Sequence, residues 1–456
     1  MQLLDTLSNQ KRDVSALDPD GGIRLYVCGI TPYSEAHLGH ALHAIVFDVL
    51  RRYLDWREIA VKHVQNFTDV DDKLIDRANE LGTDISTLAE ENSEAYLAQL
   101  MRMNVLPAHE YPRVSERITE IIEVVQGLID NDAAYESGGD VYYRVREKPD
   151  YGKLSKRNID DLQSGARVDP TEHKNDPLDF ALWKSAKPGE PTWDSPWGAG
   201  RPGWHIECSA MAVSSLGDRI DIHGGGADLI FPHHENEIAQ SESFTGKTPF
   251  SAIWMHNALL QLGEDKMSKS AGKVIGIDQI LERFGADALR MFVITSHYRS
   301  PVTYSNEALG AARAGVGRLR TAAFGASAED ASGEPVDASR TRQQFIEAMD
   351  DDLNSPQALA ALFSLAREVN RARDDERNIT EAQSTLRELA GVLGFTLEEH
   401  ATVSQEAAPF IELLIDMRAS LRAEKHFELA DKIRDGLVSN GVELQDGPSG
   451  TEWSLR

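Results

Sequence analysis

Gly21-Gly-Ile-Arg-Leu-Tyr-Val-Cys28 combines a glycine turn with an apolar run of strand length. We expect a short buried strand here, over residues 22–29. After a polar loop, apolar residues recur at helical spacing over residues 39–54, and an extended pattern resumes over residues 60–67. Strand, helix and strand in this order form one parallel βαβ unit, which predicts an α/β fold with a parallel, Rossmann-like sheet.

The rest of the chain divides by composition. Residues 140–203 are rich in glycine, proline and tryptophan, and we expect short strands and loops there before the sheet resumes near 219–223 and at 251–256. Residues 325–339 have the composition of a linker. We therefore predict three domains: a Rossmann-like domain over residues 1–295 with an insertion at about 105–203, an α-helical bundle over 296–395, and a small C-terminal α/β module over 396–456.

Two serines are predicted helix caps. Helical spacing predicts a helix over residues 115–130 that begins behind Ser115. Ser355-Pro356 combines a capping residue with a proline suited to the first helical position. We expect helices to begin at both places.

Composition narrows the class of protein. The 456 residues carry 47 basic and 74 acidic side chains, a net charge of −27, which argues against non-specific nucleic-acid binding but not against one shaped RNA. The two cysteines make a disulfide framework implausible, although a single bridge stays open. No apolar run approaches the roughly 18 residues of a membrane helix. We expect a cytoplasmic protein with no DNA or membrane partner.

A metal site is one interpretation of Pro232-His-His-Glu-Asn-Glu237. His233 and Glu237 would project from the same face of a helix that begins at the proline. The alternative is a surface helix with ordinary charge pairing. Cys28, at the end of a strand, and Cys208 could complete a set that suits zinc, or they could pack as small hydrophobic side chains.

Two further stretches have open interpretations. In His223-Gly-Gly-Gly-Ala-Asp228, the glycines allow the backbone to approach a ligand, and Asp228 could accept from its hydroxyl or ammonium group, although most glycine runs mark turns. Asp69, Asp71 and Asp72 could hold magnesium. We favour a helix start and a hydrogen-bonded cluster at the sheet edge for these three acids.

Two pairs of basic side chains suggest a phosphate site. His37 and His40 at a helix N-terminus can meet phosphate through backbone N–H groups, the helix dipole and imidazole donors. Lys266 and Lys269, in Lys266-Met-Ser-Lys-Ser270, can counter charge that develops on a phosphate. Either pair alone has ordinary structural explanations. Together, they indicate a site that binds a polyphosphate from both sides.

These motifs resemble a known family. His37-Leu-Gly-His40 and Lys266-Met-Ser-Lys-Ser270 match the two signatures of class I aminoacyl-tRNA synthetases, and Asp287-Ala-Leu-Arg290 matches the signature of the helical domain that follows the catalytic domain in several of them. The sequence is specifically similar to the cysteinyl-tRNA synthetases, from about residue 2 to Trp453. Four stretches carry this similarity: Tyr26-Val-Cys-Gly-Ile-Thr31, Asn66-Phe-Thr-Asp-Val-Asp-Asp-Lys73, Gly203-Trp-His-Ile-Glu-Cys208 and Phe231-Pro-His-His-Glu-Asn-Glu237.

The resemblance implies a function: ATP-dependent activation of L-cysteine to cysteinyl-adenylate, followed by transfer to the 3′-terminal ribose of tRNA(Cys), with release of pyrophosphate and AMP. It also implies one Zn²⁺ per chain, which takes the substrate sulfur, and Mg²⁺ accompanying ATP. Zinc would prefer the thiolate of cysteine to the hydroxyl of serine, so no editing domain is needed. We expect a monomer.

The resemblance also implies roles for individual residues. The zinc ligands would be Cys28, Cys208, His233 and Glu237, and the cysteine pocket would include Cys28, Gly29, Thr31, Trp204 and Asp228. The ATP site would include His37, Gly39, His40, Lys266, Ser268 and Lys269, of which His37, His40, Lys266 and Lys269 are catalytic. Asp446 and Trp453 would contact tRNA, although the tryptophan could instead pack under the terminal helix.

Other functions remain open at this point. A relative that joins cysteine to an amino-sugar amine would lack the C-terminal module, and a zinc hydrolase using Glu207 or Glu235 would leave the lysine motif unexplained. A catalytically silent RNA- or nucleotide-binding relative would not need both motifs intact. Family members often carry a second lysine shortly after the Asp-Asp-Lys run, where this sequence has Asp76. We therefore expect no accessory role of a lysine at that position. Gly263 and Gly272 flank the lysine motif, which predicts a mobile loop that closes over ATP.

Overall fold

The computed structural model describes residues 1–17, 22–159, 173–262, 275–325, 334–398, 408–440, 442–447 and 450–455. The chain forms two compact units, Met1–Leu397 and Glu398–Arg456. The strands of the described residues are β1 Gln2–Asp5, β2 Gln10–Asp13, β3 Ile23–Ile30, β4 Val61–Phe67, β5 Ala134–Ser137, β6 Asp140–Tyr143, β7 Phe180–Ser185, β8 Gly200–Pro202, β9 Ile220–Gly226, β10 Ser251–Asn257, β11 Leu260–Leu262, β12 Val302–Tyr304, β13 Val442–Gly447 and β14 Gly450–Leu455.

The helices are interspersed with these strands along the chain. They are α1 Leu38–Trp56, α2 Asp72–Leu81, α3 Ile85–Arg102, α4 Ile118–Asp130, α5 Trp204–Leu216, α6 Glu235–Thr245, α7 Ile277–Phe284, α8 Ala286–Ile294, α9 Asn306–Phe324, α10 Ser339–Asp350, α11 Ser355–Asp374, α12 Thr380–Val392, α13 Ala408–Ala423 and α14 Phe427–Ser439. Among the described helices, none combines the length and apolar character needed to cross a bilayer.

A four-stranded parallel sheet forms the centre of the first unit. Its order is β10-β9-β3-β4. Most side chains of β3 are buried on both faces, which is why its sequence is almost continuously apolar rather than alternating. The predicted βαβ unit is β3, α1 and β4, so the predicted parallel α/β fold is confirmed. Since the strands are parallel, the carboxyl ends of β3, β9 and β10 lie at the same edge, where ligands bind in such sheets.

A second sheet interrupts the first. Strands β5 to β8 pair in sequence order and all antiparallel. They lie in the chain between β4 and β9, and β6 to β8 lie within the glycine- and tryptophan-rich segment of residues 140–203. Trp183 of β7 is fully buried, with its ring 5.9 Å from that of Trp197. The domain limits drawn from composition remain predictions.

Both predicted caps are shifted. Helix α4 begins at Ile118 with no side-chain cap, because Ser115 instead donates its N–H and hydroxyl to Asp69. Helix α11 is capped one residue earlier than predicted, by Asn354, whose side chain accepts from the N–H of Gln357. Ser355 donates to the carbonyl of Ile294 at 2.9 Å. An available acceptor nearby therefore overrode the local capping preference in each case.

One buried arginine joins helix α1 to the helices that follow the sheet. Arg290 of α8 is fully buried and donates to Asp48 of α1 at 2.7 Å. It also donates to the carbonyls of Met103, at 2.9 Å, and Asn104, at 2.8 Å. A single hydrophobic core runs from the sheet through α1 into helices α8 to α12.

The second unit contains α13, α14 and the antiparallel hairpin of β13 and β14. Ile411, Ile415, Leu437 and Val442 form its small core. The two strands pair in register, Leu444 opposite Trp453, while Pro448 and Ser449 of the predicted turn between them lie outside the described residues. The predicted helix–helix–strand–strand order is thus present.

Candidate functional site

Four buried side chains converge at the carboxyl edge of the sheet. Cys28 lies near the end of β3, Cys208 lies in α5, His233 lies in the turn Ile230–His234, and Glu237 lies in the first turn of α6. Their ligand atoms all lie within 4.8 Å of one another. His233 and Glu237 project from one face, as their spacing predicts. The sequence-predicted ligand set is therefore assembled in space.

The distances fit a tetrahedral zinc ion. Tetrahedral Zn–S bonds of about 2.3 Å and Zn–N or Zn–O bonds of about 2.0 Å place two sulfur atoms about 3.8 Å apart and a nitrogen and an oxygen about 3.3 Å apart. The two sulfur atoms of Cys28 and Cys208 are 3.8 Å apart, and Nε2 of His233 is 3.1 Å from Oε1 of Glu237. The sulfur of Cys28 is 3.5 Å from the same carboxylate oxygen. Donor type and spacing both suit zinc.

Electrostatics also favour a cation here. Burial raises the pKa of the Cys28 thiol well above its usual value, and the neighbouring Cys208 and Glu237 raise it further. Burial also opposes ionisation of Glu237, but His223 and His233 outweigh it and lower the pKa of that carboxyl. A bound divalent cation would stabilise the thiolates that burial alone disfavours.

Two histidines that the sequence analysis did not select complete the surroundings. His234 places Nε2 at 3.3 Å from the sulfur of Cys28, and His223 places Nε2 at 3.3 Å from Oε2 of Glu237. The four residues Cys28, His223, His234 and Glu237 also have ligand atoms within 4.8 Å of one another. The glycine run offered a signal, since a Cβ on Gly225 would lie 2.4 Å from the ring of His234. That glycine lets the ring approach the strand.

The predicted cysteine pocket lies beside this cluster. Gly29 donates its N–H to Oδ1 of Asn66 at 2.9 Å, and a Cβ on Gly29 would lie 1.6 Å from the carbonyl oxygen of Asn66, so only glycine fits. The ring of Trp204 stacks on that of His233 at 4.4 Å and is 38% exposed. Thr31 and the exposed Asp228 follow the carboxyl ends of neighbouring strands, β3 and β9.

His43 is a further residue that sequence reasoning missed. It lies in α1, with Nε2 at 3.1 Å from the carbonyl of Cys28 and Nδ1 at 2.9 Å from Oδ1 of Asn257. It therefore bridges the ends of β3 and β10. The only signal in the sequence was its position one turn after His40.

The two histidines of the first signature form the cap of α1. Nδ1 of His37 accepts from the N–H of Gly39 at 3.1 Å, and Nδ1 of His40 accepts from the N–H of His37 at 3.2 Å. An accepting Nδ1 leaves the proton on Nε2 of each ring. Burial lowers the pKa of His37, and burial with the nearby His37 and His43 lowers that of His40 to about 3. Both rings are therefore neutral N–H donors rather than cations.

The second signature lies outside the described residues. Lys266, Ser268 and Lys269 fall within residues 263–274, and so does the loop that the flanking glycines predict to be mobile. The first described residues after this segment lie next to the first signature: the carbonyl of Ile275 accepts from the N–H of Leu38 at 2.9 Å, and His37 pairs with Gly276. The chain therefore leaves the lysine segment beside the N-terminus of α1.

Asp69, Asp71 and Asp72 each take part in a structural hydrogen bond or ion pair. Asp71 caps α2 by accepting from the N–H of Lys73, and Asp69 accepts from Ser115. Asp72 pairs with Lys184 at 2.6 Å and with Arg201. These contacts support a helix start and sheet-edge cluster rather than a magnesium site.

The hydrolase alternative also loses its candidate base. Both oxygens of Glu235 accept from backbone N–H groups, at 2.9 Å from Gly152 and 2.8 Å from Ser155. Burial, with Cys208 and two nearby aspartates, raises the pKa of Glu207 well above its usual value. Glu235 is therefore occupied by backbone hydrogen bonds, and Glu207 is buried away from solvent.

The predicted tRNA contacts lie in the second unit. Trp453 is half-buried against the small core, which is the packing alternative considered for it. Only the backbone of Asp446 is described, in β13. Arg418 of α13 is buried and donates to the hydroxyl of Thr451, two residues before the tryptophan, at 3.4 Å.

Comparison with known proteins agrees with this geometry. The family model described as "tRNA synthetases class I (C) catalytic domain" matches residues 15–314, and that of the DALR domain matches residues 344–398. Among solved structures, methionyl-tRNA synthetase of Mycobacterium tuberculosis bound by methionyl-adenylate superposes with a TM-score of 0.60, covering 82% of this chain and 89% of that one. The two sequences are 15% identical, so this likeness shows the fold alone.

Two relatives match the chain from end to end. A cysteine–tRNA ligase of Dehalococcoides mccartyi (strain ATCC BAA-2266 / KCTC 15142 / 195) is 51% identical over 457 residues, covering 100% of both chains. One of Geobacillus thermodenitrificans is 48% identical over 466 residues, covering 99% of this chain and 98% of that protein. The chain belongs to the cysteine–tRNA ligase family of class I tRNA synthetases.

Proposed function

We propose that this chain joins L-cysteine to tRNA(Cys) at the expense of ATP. The observation that carries the proposal is the convergence of Cys28, Cys208, His233 and Glu237 at the carboxyl end of β3, in a chain of this family. The neighbouring N-terminus of α1 supplies a phosphate site, so amino-acid recognition and ATP binding share one sheet edge.

We further propose that the four side chains hold one Zn²⁺. Bound there, zinc would take the substrate's sulfur as a thiolate and favour cysteine over serine through its preference for soft ligands. The residues around it shape the pocket: Gly29 lets the backbone approach, Trp204 covers one side, and Thr31 and Asp228 stand at the ends of neighbouring strands. We propose that the protein acts as a monomer.

In the activation step, the carboxylate of cysteine attacks the α-phosphorus of ATP and pyrophosphate leaves. The Nε2–H groups of His37 and His40 donate to the phosphate oxygens on which charge develops, next to the backbone N–H of Gly39. Lys266 and Lys269, with Ser268, bind the same phosphates from the other side, and Mg²⁺ accompanies ATP. Since α1 begins where the chain leaves the lysine segment, both signatures can act on one nucleotide.

In the transfer step, a hydroxyl of the 3′-terminal ribose attacks the carbonyl carbon of cysteinyl-adenylate, and AMP leaves. No protein nucleophile is required. We propose that the first 295 residues carry this chemistry, that residues 296–395 form the helical domain, and that residues 396–456 read tRNA through Asp446 and Trp453. We place the enzyme in the cytoplasm, where its tRNA partner is used.

The test is cysteine-dependent exchange of pyrophosphate into ATP by zinc-loaded protein, followed by acyl transfer. We expect exchange with cysteine but not with serine, and charging of tRNA(Cys). Absence of exchange would refute the proposal. Exchange with transfer to an amino-sugar amine and none to tRNA would instead identify the small-molecule ligase.

A further inference from the structure

A chain of three hydrogen-bonding contacts connects Thr6 to Cys28. Oγ1 of Thr6 is 2.7 Å from Nδ1 of His256, Nε2 of His256 is 2.8 Å from Nδ1 of His234, and Nε2 of His234 is 3.3 Å from the sulfur of Cys28. His256 lies on β10, and His234 precedes α6. Thr6 follows β1 and donates its backbone N–H to the carbonyl of Trp254 at 2.9 Å, which holds it beside β10.

The charge on the sulfur fixes the direction of this chain. A neutral imidazole has one donor and one acceptor nitrogen. A ring that donates to one neighbour must therefore accept from the other. The sulfur of a metal-bound Cys28 is a thiolate and can only accept. His234 must then donate from Nε2 and accept at Nδ1, His256 must do the same, and the hydroxyl of Thr6 must donate to His256.

Nδ1 of His256, at the end of these contacts farthest from Cys28, therefore needs a hydrogen-bond donor. Thr6 meets this need with the hydrogen bond that its hydroxyl makes to Nδ1 of His256, at 2.7 Å. Without that donor, Nδ1 of His256 would be left unsatisfied in a buried position, which destabilises the arrangement of rings that the thiolate requires. The opposite tautomer of both rings would turn the unprotonated Nε2 of His234 toward the thiolate, where two acceptors repel each other.

We propose that Thr6 is a positioning residue of the metal centre, whose hydroxyl donates to His256 and so supports the arrangement of His256 and His234 that directs the Nε2–H of His234 at Cys28. This inference rests on the zinc site proposed above. It assigns a role to the N-terminal segment, which contributes no ligand. Groups that orient metal ligands through hydrogen bonds commonly change metal affinity by about 10- to 100-fold when removed.

The test compares Thr6→Val, which removes the hydroxyl at nearly constant volume, with Thr6→Ser, which keeps it. The readouts are the rate of zinc release to a chromogenic chelator and the thiolate-to-metal charge-transfer band of the Co²⁺-substituted protein. We expect Thr6→Val to release zinc about tenfold faster and to shift the band. The lower end of the range is expected because two histidines lie between Thr6 and the ligand Cys28. Thr6→Ser should behave as the unmodified protein does.

A second pair of variants separates this role from packing. In a His256→Phe background the hydrogen bonds between Thr6 and His234 are already lost. Adding Thr6→Val should then cause no further change in zinc release. Unchanged zinc release in Thr6→Val, or the same loss in the His256→Phe background, would overturn the inference while leaving the zinc site intact. An unmodified protein that binds no zinc would refute the zinc site itself, and the role of Thr6 with it.

Discussion

His37 serves both the stability of α1 and the proposed chemistry, and its two ring nitrogens divide these roles. Nδ1 caps the helix by accepting from Gly39, which leaves Nε2–H as the group available to a phosphate. Asparagine places its side-chain oxygen near the position of Nδ1 and is itself a good cap, but it has no group at the position of Nε2.

We therefore predict that His37→Asn keeps the stability of the protein within about 0.5 kcal/mol but lowers the rate of pyrophosphate exchange by about 100-fold, since one donor to a developing charge is lost. His37→Ala should lose the same activity and, in addition, about 1 kcal/mol of stability. Exchange kinetics and denaturant unfolding measure the two effects separately. Equal exchange in His37→Asn and the unmodified protein would show that Nε2 does not act on ATP.

Cys208 allows a test of the metal site that leaves the ATP site untouched. Its sulfur is buried, 3.8 Å from that of Cys28, whereas His37 and His40 lie at the start of a different helix. We predict that Cys208→Ser lowers zinc affinity by more than about 100-fold, because loss of an outer partner alone costs up to that much. Cysteine affinity should fall with it, while ATP binding should stay.

Zinc content by atomic absorption and ATP binding by calorimetry distinguish these effects. Ser214→Ala is the matched control, because Ser214 lies on the same helix and, among the described residues, its hydroxyl donates to the carbonyl of Met211 within its own turn. An unchanged zinc content in Cys208→Ser would refute the ligand set.

At the scale of elements, α1 connects the proposed ATP site to the helical part of the first unit. Its N-terminus carries His37 and His40, its middle carries Asp48, and near its C-terminal end Tyr53 and Arg57 bond to Asp350 of α10. The buried ion pair of Asp48 with Arg290 of α8 ties the middle of this helix in place. The helical part of the first unit is thus bonded to the same helix whose N-terminus carries His37 and His40.

We predict that Arg290→Met destabilises the first unit by about 3 kcal/mol, because Asp48 keeps only Arg52 as a charged partner among the described residues and two backbone carbonyls lose their buried donor. Arg77→Met is the matched control: Arg77 pairs with Glu80 at 2.9 Å on the surface of α2, where a pair contributes at most about 1 kcal/mol. Thermal unfolding compares the two. Similar losses from both substitutions would contradict a special role for the buried arginine.

The elements with regular patterns were predictable from sequence, whereas the contacts between them were not. The apolar run of β3 and the helical spacing of α1 each have one physical explanation, and both elements formed where expected. Ser115 has a capping preference, but the preference is weaker than a hydrogen bond to Asp69, which lies 46 positions earlier. Only the tertiary fold reveals that partner.

The candidate site shows the same division. His233 and Glu237 were predicted because helical spacing places them on one face, and the two cysteines because they are rare. His223, His234 and His256 reach the cluster from β9, the turn before α6 and β10, and their sequence positions share no period. Proximity across parallel strands leaves no trace in one sequence, so such neighbours become visible only once the strands are placed.

At the scale of the whole molecule, the proposed activation site lies entirely in the unit Met1–Leu397 among the described residues. The unit Glu398–Arg456 has its own small core. We predict that a chain ending at Leu397 keeps cysteine-dependent pyrophosphate exchange within about threefold but loses most charging of tRNA(Cys), since tRNA-reading surface is removed while the reacting groups stay. Exchange lost together with charging would show that activation needs the second unit.

Acid stability is a property of the whole first unit, because it depends on histidines buried in several elements. His63 of β4 is buried with neither ring nitrogen hydrogen-bonded among the described residues, and burial, with smaller effects of Arg51 and His109, lowers its pKa to about 3. Burial first, and neighbouring histidines second, lower the pKa values of His40 and His256 to about 3 as well.

In an unfolded chain a histidine has a pKa near 6.5. Between that value and about pH 3, the unfolded chain binds a proton at each of these positions and the folded chain does not, so acid favours unfolding. Above pH 6.5 neither state binds the proton, and this contribution vanishes. The free energy of unfolding should thus fall as the pH falls below 6.5, by about 1.4 kcal/mol per pH unit for each histidine.

We predict that replacing His63 by an apolar residue removes one proton from this linkage. At pH 5, in excess zinc, the unmodified protein should take up about one proton more on unfolding in guanidinium than His63→Phe does. Direct titration of proton uptake measures this without assuming two-state unfolding. His63→Leu is the control for packing, because it changes the volume of the side chain differently but removes the same proton. Equal uptake by all three proteins would mean that His63 is already protonated in the folded state at pH 5, despite its burial.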